Sequence, residues 1–236
     1  MNEIEKIINK AWENKDQINP DSDKNLKNAI NQIIEDLDSG KVRVAEKINN
    51  EWITHQHIKK AIMLSFKTHG METLTGPYSA WHDKAHLLKG KTAGWTKKDF
   101  EKAGFRMVPN SPVRKGSFVG KNVVLMPCYV NIGAYIDEGT MIDTFARAGS
   151  CCQIGKNCHI SAGSGVGGVL EPAQALPTII EDIAHNLEQA KNLGMKTCWL
   201  ENNETFAKKD ADKPYIDYKI KNLPSFLQEI NVLKAA

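Results

Sequence analysis

The chain lacks long apolar runs: no stretch approaches the 18 or so residues a membrane-spanning helix needs, so no membrane segment is expected. Its first ten residues, MNEIEKIINK, carry acidic side chains and no apolar centre, and are not expected to act as a secretory signal. Charge of one sign is scarce too. Thirty-one basic residues face 28 acidic ones, the net charge is +3, and no Lys/Arg block stands out, which gives no footing for a nucleic-acid partner. There are five cysteines, an odd number, and the Cys151-Cys152, Cys158 and His159 group fits no zinc-ligand spacing; no metal is expected. No Gly-Lys-Ser/Thr follows the glycine-rich segment Ser161–Pro172, which excludes a P-loop. What remains is a 236-residue chain of ordinary composition, 41% hydrophobic and 25% charged, expected to work in a reducing cytoplasm.

What is present is a period. Every sixth residue from Phe118 is apolar: Phe118, Val124, Val130, Ile136, Ile142, Ala148, Ile154, Ile160 and Val166, seven of the nine being Val or Ile. Four places after each, from Val124 onward, the residue is small: Cys128, Ala134, Thr140, Ala146, Cys152, Cys158 and Ser164. Neither a helix nor a flat strand has period six. A parallel β-helix with triangular coils does: one large residue per short face points inward, a small one sits near the corner, and the backbone pairs with the coils above and below. Three hexapeptides per coil predict three coils. A β-sandwich is the alternative, but its strands alternate with period two and vary in length.

Upstream, Ile4, Ile7, Ile8 and Trp12 share one face of a helix expected within residues 1–17. A second helix carrying Leu26, Ile30, Ile33, Ile34 and Leu37 is expected to be capped by Asp21 or Ser22 and stopped at Asp38-Ser39-Gly40. Residues 42–48 alternate like a strand, Trp52–Thr54 returns as its partner, and a third helix spans about 58–66. Residues 69–100 are broken by Gly70, Gly76, Pro77, Gly90 and Gly94, with Trp81-His82-Asp83-Lys84 as their most distinctive run. Beyond Pro177–Asp182, with Thr178 on the six-residue count, the repeat stops. A helix through Leu187, Ala190 and Leu193, a strand at 196–200, the run Tyr215–Tyr218 and a last helix from Ser225 to about Leu233 give an α/β signature. That last helix, through Phe226, Leu227, Ile230 and Leu233, is expected to cover the open end of the β-helix.

Two side chains stand out. Arg106, in the run into the repeat, has the planar fork that receives carboxylates, although spacing alone favours a surface arginine. Asp143 follows the core residue Ile142, where a solvated turn acid is also common.

The runs LDSGKVRVAEKI, AGFRMVPNSPVRKG, VVLMPCYVNIGAYIDEGTMIDT, GSCCQIGKN and GVGGVLEPAQALPTIIED carry a specific resemblance over residues 1–182. They resemble bacterial tetrahydrodipicolinate N-succinyltransferases of the diaminopimelate and lysine pathway. The resemblance implies transfer of succinyl from succinyl-CoA, as co-substrate, to the amine of 2-amino-6-oxopimelate, with no bound cofactor, in a homotrimer whose sites lie between neighbouring β-helices. It implies that Arg106 and Asp143 bind the substrate. A dicarboxylate suits Arg106, and Asp143 can orient the attacking amine or accept its proton. After PTIIED the family continues with further coils, bearing a catalytic glutamate and much of the CoA surface; here they are replaced, so the catalytic residue is left unassigned. Residues 181–236, through EDIAHNLEQAKNLGMKTCWL and IDYKIKNLPSFL, instead resemble the end of a haloacid dehalogenase-like hydrolase near the pyrimidine 5′-nucleotidases. There Glu181 and Asp182 would belong to the magnesium-holding acidic motif, but the Asp-x-Asp nucleophile motif is missing: Asp21-Ser-Asp23 has the letters without a preceding strand.

The expected fold is therefore α+β: a mainly helical domain at 1–110 with a small hairpin, a truncated left-handed parallel β-helix at 111–182, and an α/β tail at 183–236. The expected function is the succinyltransferase. A non-catalytic hybrid that keeps a trimeric β-helix scaffold is the alternative, and a phosphatase has only the tail behind it.

Overall fold

The computed structural model describes residues 3–49, 51–76, 79–180, 198–200, 213–214 and 216–220. It divides into two compact units, residues 1–180 and 181–236.

The first unit opens with helices. α1 (Glu3–Glu13) buries Ile8, with Ile4, Ile7 and Trp12 packed beside it. α2 (Lys24–Asp38) buries Leu26, Ala29, Ile30, Ile33, Ile34 and Leu37, three and four residues apart, on one face. Its cap is Asp23, whose carboxylate accepts the Leu26 N–H at 3.2 Å. The expected caps are occupied one turn earlier: Ser22 Oγ accepts the Asn19 N–H and the Asn19 side chain accepts the Asp21 N–H, closing a separate turn. β1 (Ala45–Ile48) and β2 (Glu51–Thr54) form the expected antiparallel hairpin. α3 (Gln56–Thr68) follows, burying Ile58, Ala61, Ile62 and Leu64. The segment expected to be irregular contains a second hairpin, β3 (Met71–Thr75) with β4 (Ala80–Lys84), then α4 (Ala85–Leu88) and α5 (Lys97–Ala103). Its strands gave no signal because every residue of β3 is exposed, and a hairpin with no buried face has no period-two pattern to read.

The repeat forms a parallel β-solenoid of two-residue strands: β5 (Arg106–Met107), β6 (Phe118–Val119), β7 (Val124–Leu125), β8 (Tyr129–Val130), β9 (Tyr135–Ile136), β10 (Met141–Ile142), β11 (Arg147–Ala148), β12 (Gln153–Ile154), β13 (His159–Ile160), β14 (Gly165–Val166) and β15 (Ile179–Ile180). They stack into three sheets, ordered β13-β10-β7-β5, β14-β11-β8 and β15-β12-β9-β6, one per face of a triangular prism. Each strand pairs with the strand one coil away, as in Met141↔His159 and Arg147↔Gly165, eighteen residues apart. The second residue of each strand points in: Val130, Ile136, Ile142, Ala148 and Ile154 are each 0% exposed. The corner residues Cys128, Ala134, Thr140, Ala146, Cys152 and Cys158 are buried as well, whereas Ser164 is exposed.

Two of the nine inward positions are corrected. At the first two repeats the buried residues are Val119 and Leu125, one place after Phe118 and Val124. The turn through Pro127 is one residue short, so Val124 pairs with Met141 across seventeen residues rather than eighteen. Adjacent apolar pairs, Phe118-Val119 and Val124-Leu125, hid the slip. The stack also reaches past the repeat at both ends. Arg106 and Met107 pair with Val124 and Leu125, so the ladder takes in residues before 111, and Val113 bridges Val130. After the excursion at 167–178, Ile179 and Ile180 rejoin at Gln153 and Ile154, which moves the inward residue from Thr178 to Ile180.

Helices and solenoid share a core. Ile132 and Cys151, at solenoid corners, are buried with Ile8, Ile30, Ile34 and Ile62. Gly133, at φ +76°, makes the approach possible: a Cβ there would stand 2.9 Å from both Ile62 Cδ1 and Cys151 Sγ. Lys59 of α3 is wholly buried and donates to the Pro172 and Ala175 carbonyls at 2.9 and 2.8 Å, tying the 167–178 excursion to the helices.

In the second unit, β16 (Cys198–Leu200) and β17 (Tyr218–Ile220) pair in parallel. The first falls within the strand expected at 196–200, and the second begins where the run Tyr215–Tyr218 ends. The expected tail helices, Glu181 and Asp182 lie outside the described residues. Among the described residues no helix is long and apolar enough to cross a membrane.

Candidate active site

The three outer faces of the solenoid are not equivalent. On one, Phe118 and Tyr135 stack at 4.6 Å, Arg43 lies 3.7 Å over the Tyr135 ring, and Gln153, 1% exposed, accepts from the Arg43 guanidinium. Residues of the helical layer cover that face. On the face built from β5, β7, β10 and β13, the outward row is Arg106, Val124, Met141 and His159, with both ends exposed.

Asp143 leaves this face at its corner, two residues after Met141. Its Oδ1 accepts the Thr144 N–H at 2.6 Å, and its Oδ2 faces His159 Nε2 at 3.1 Å. The Thr144 N–H first, then His159, hold the Asp143 carboxyl below the usual carboxylate range. Arg106 stands two ladder steps away on the same face. At about 4.8 Å per step and about 3.3 Å per residue along the strand, the Arg106 and Asp143 backbones lie roughly 12 Å apart. The solenoid thus brings the two predicted residues to one face, a long cation at one coil and an ionised acid two coils on.

His159 was missed by sequence reasoning, which weighed it only within a cysteine cluster. The signal was available: His159 lies one eighteen-residue coil beyond Met141, so the same row carries it beside Asp143. The cysteines themselves do packing. Cys128, Cys151, Cys152 and Cys158 are buried and unbridged, and burial pushes the Cys151 and Cys152 thiols up to about 12. Among the described residues no three His, Cys, Asp or Glu side chains gather as metal ligands. Trp81, His82 and Asp83 line a pocket of about 620 Å³ with Met107 and Tyr129, where Asp83 pairs with Arg114 at 2.7 Å.

Residues 3–68 match the family model for the tetrahydrodipicolinate N-succinyltransferase N-terminal region, and residues 133–168 match the bacterial transferase hexapeptide model of six repeats. The 2,3,4,5-tetrahydropyridine-2,6-dicarboxylate N-succinyltransferase of Caulobacter vibrioides is 49% identical over 187 residues, 77% of this chain and 67% of that protein. The chain belongs to the tetrahydrodipicolinate N-succinyltransferase family. Within that family the proteins of the same name from Pelagibacter ubique and Sodalis glossinidius are 72% and 51% identical, over 182 and 183 residues. The chain spans 66% of the length of each of these two, just under two thirds. The family match covers both the helical layer and the solenoid face that carries Arg106, Asp143 and His159.

Proposed function

We propose that the chain transfers the succinyl group of succinyl-CoA to the amine of 2-amino-6-oxopimelate, the open form of tetrahydrodipicolinate, in diaminopimelate and lysine biosynthesis. The observation that carries this reading is the 72% identity to a named N-succinyltransferase over 182 residues, which include the whole exposed face. Arg106 holds a substrate carboxylate by paired N–H donors, and Asp143, kept ionised, attracts the ammonium end of the same molecule. A dicarboxylate amine thus meets a cation and an anion on one face.

The working assembly in this reading is a homotrimer. Phe145 supports it: beside Asp143, it is 81% exposed and held at φ +57°, an unfavourable backbone for a bulky residue that a neighbouring subunit would cover. The buried, unbridged thiols of Cys128, Cys151 and Cys152 suit a reducing cytoplasm. The tail keeps the reading its sequence suggests, a haloacid dehalogenase-like end fragment without its nucleophile motif.

The test follows thioester absorbance with succinyl-CoA, with and without the acceptor. Acceptor-dependent loss is expected. Its absence in a folded protein overturns the transferase reading.

A further inference from the structure

The acceptor amine enters as an ammonium and must lose a proton before it can attack a thioester. Resting on the transferase reading above, we propose that His159 is the base that takes this proton and that Asp143 is the carboxylate that orients it. Three features of the pair support this. The cross-coil register sets His159 beside Met141 and so next to Asp143, with 3.1 Å between Nε2 and Oδ2. An ionised carboxylate only accepts, so the proton of the neutral ring sits on Nε2 and the lone pair on Nδ1. The His159 side chain is 58% exposed, against 26% for Asp143, so the ring is the more accessible member of the pair.

Asp143 itself is poorly suited to the task. The Thr144 amide and His159 stabilise its charged form, and a carboxylate stabilised in that way is a weak acceptor for an ammonium proton. An imidazole oriented by a carboxylate through one nitrogen and basic through the other is the arrangement hydrolases use for proton transfer near neutral pH. Few other charges bear on His159. β13 is the edge of its sheet among the described strands. Asp143 faces it from the corner after β10, and Glu138 pairs with Lys156 at 3.5 Å at the corner before it. On the next face, Arg147 lies over Gly165.

The step balances. His159 Nδ1 takes one proton from the ammonium, the amine forms a C–N bond to the succinyl carbonyl carbon, and the tetrahedral adduct breaks its C–S bond. The nitrogen's second proton passes to the departing CoA thiolate, and the imidazolium returns its own to water, giving amide, thiol and one proton.

The experiment compares wild type with His159→Gln across pH 6 to 10, alongside histidine ¹⁵N NMR of the wild type titrated with 2-aminopimelate, the acceptor without its keto group. The variant is expected to lose about 100-fold in kcat at neutral pH, with KM for the acceptor within about threefold. Its rate should rise tenfold per pH unit as the free amine becomes available, closing the gap at high pH. In the wild type the His159 ring is expected to show protonated Nε2, and its signals should move when 2-aminopimelate is added. A variant within threefold of wild-type kcat and with an unchanged pH profile overturns the inference, as does a His159 ring indifferent to 2-aminopimelate. If the wild type itself shows no acceptor-dependent thioester loss, the transferase reading fails instead, and the NMR titration still decides whether the acceptor meets His159.

Discussion

The helical layer and the solenoid are both built on isoleucine, valine and leucine, yet they bury them in different ways. In the helices the core is a set of side-chain contacts between α1, α2 and α3, and each helix satisfies its own backbone. In the solenoid each two-residue strand depends on the coils above and below for its hydrogen bonds, and the core is a column filled by one inward residue per strand. The ionisable groups differ too. The helical side buries Lys59 and sets His86 beside the His69 ring at 4.1 Å. Among the described residues, the solenoid column holds nothing more ionisable than thiols, with Cys128 pushed up to about 11 and Cys152 to about 12. A column of repeated coils tolerates little variation inside and leaves its outer rows free for chemistry; the helices give up their outer faces to solvent and to docking.

The sharpest test of this contrast removes one inward residue from each. Ile154→Ala is expected to cost about 3–5 kcal/mol and Ile30→Ala about 2–4 kcal/mol, by denaturant unfolding, since stacked coils held by ladders collapse less readily onto a cavity than helices do. Equal costs would break the comparison. Next in size is an outer-row change, Arg106→Ala, expected to lower kcat/KM about 10- to 100-fold, the value of a charge-assisted pair, while moving the unfolding midpoint little. Unchanged turnover would remove Arg106 from the site. Smaller again is Asp23→Ala, expected to cost about 1 kcal/mol by loss of the α2 cap.

A separate effect, read across pH rather than at one condition, is in the acid limb of stability. Burial, then the neighbouring His69, pull the His86 pKa down to about 3, so the folded protein keeps this ring neutral where the unfolded chain would protonate it. Between about 6.5 and 3 the unfolded state therefore binds more protons, and stability falls as pH drops through that window. His86→Phe should flatten this slope in acid unfolding curves. Asp143 acts in the same sense in a more acid window: its lowered pKa adds stability above its ordinary value of 3.8 that is lost as pH falls below it, so Asp143→Asn should remove that stability at neutral pH and make no difference under strongly acid conditions. An acid slope unaltered by His86→Phe would show that the helical layer is not the titrating side.

The sequence by itself determined the solenoid, because period six has one structural solution and each coil repeats the same local demand for a β-branched residue inside and a small one at the corner. It determined the main helices, such as the one whose apolar stripe at 26, 30, 33, 34 and 37 needs no partner to be read. It also picked out Arg106 and Asp143, though their roles came by likeness to a family rather than from spacing. Tertiary structure alone decided the rest. The exposed β3–β4 hairpin has no buried face to pattern it. The one-residue slip at Pro127 was invisible where two apolar residues stand side by side, and only ladder pairing chose Val119 and Leu125. The Asp143–His159 contact joins residues sixteen apart in sequence, and it exists because stacking sets one coil's strand against the next at the spacing of a single hydrogen-bond step.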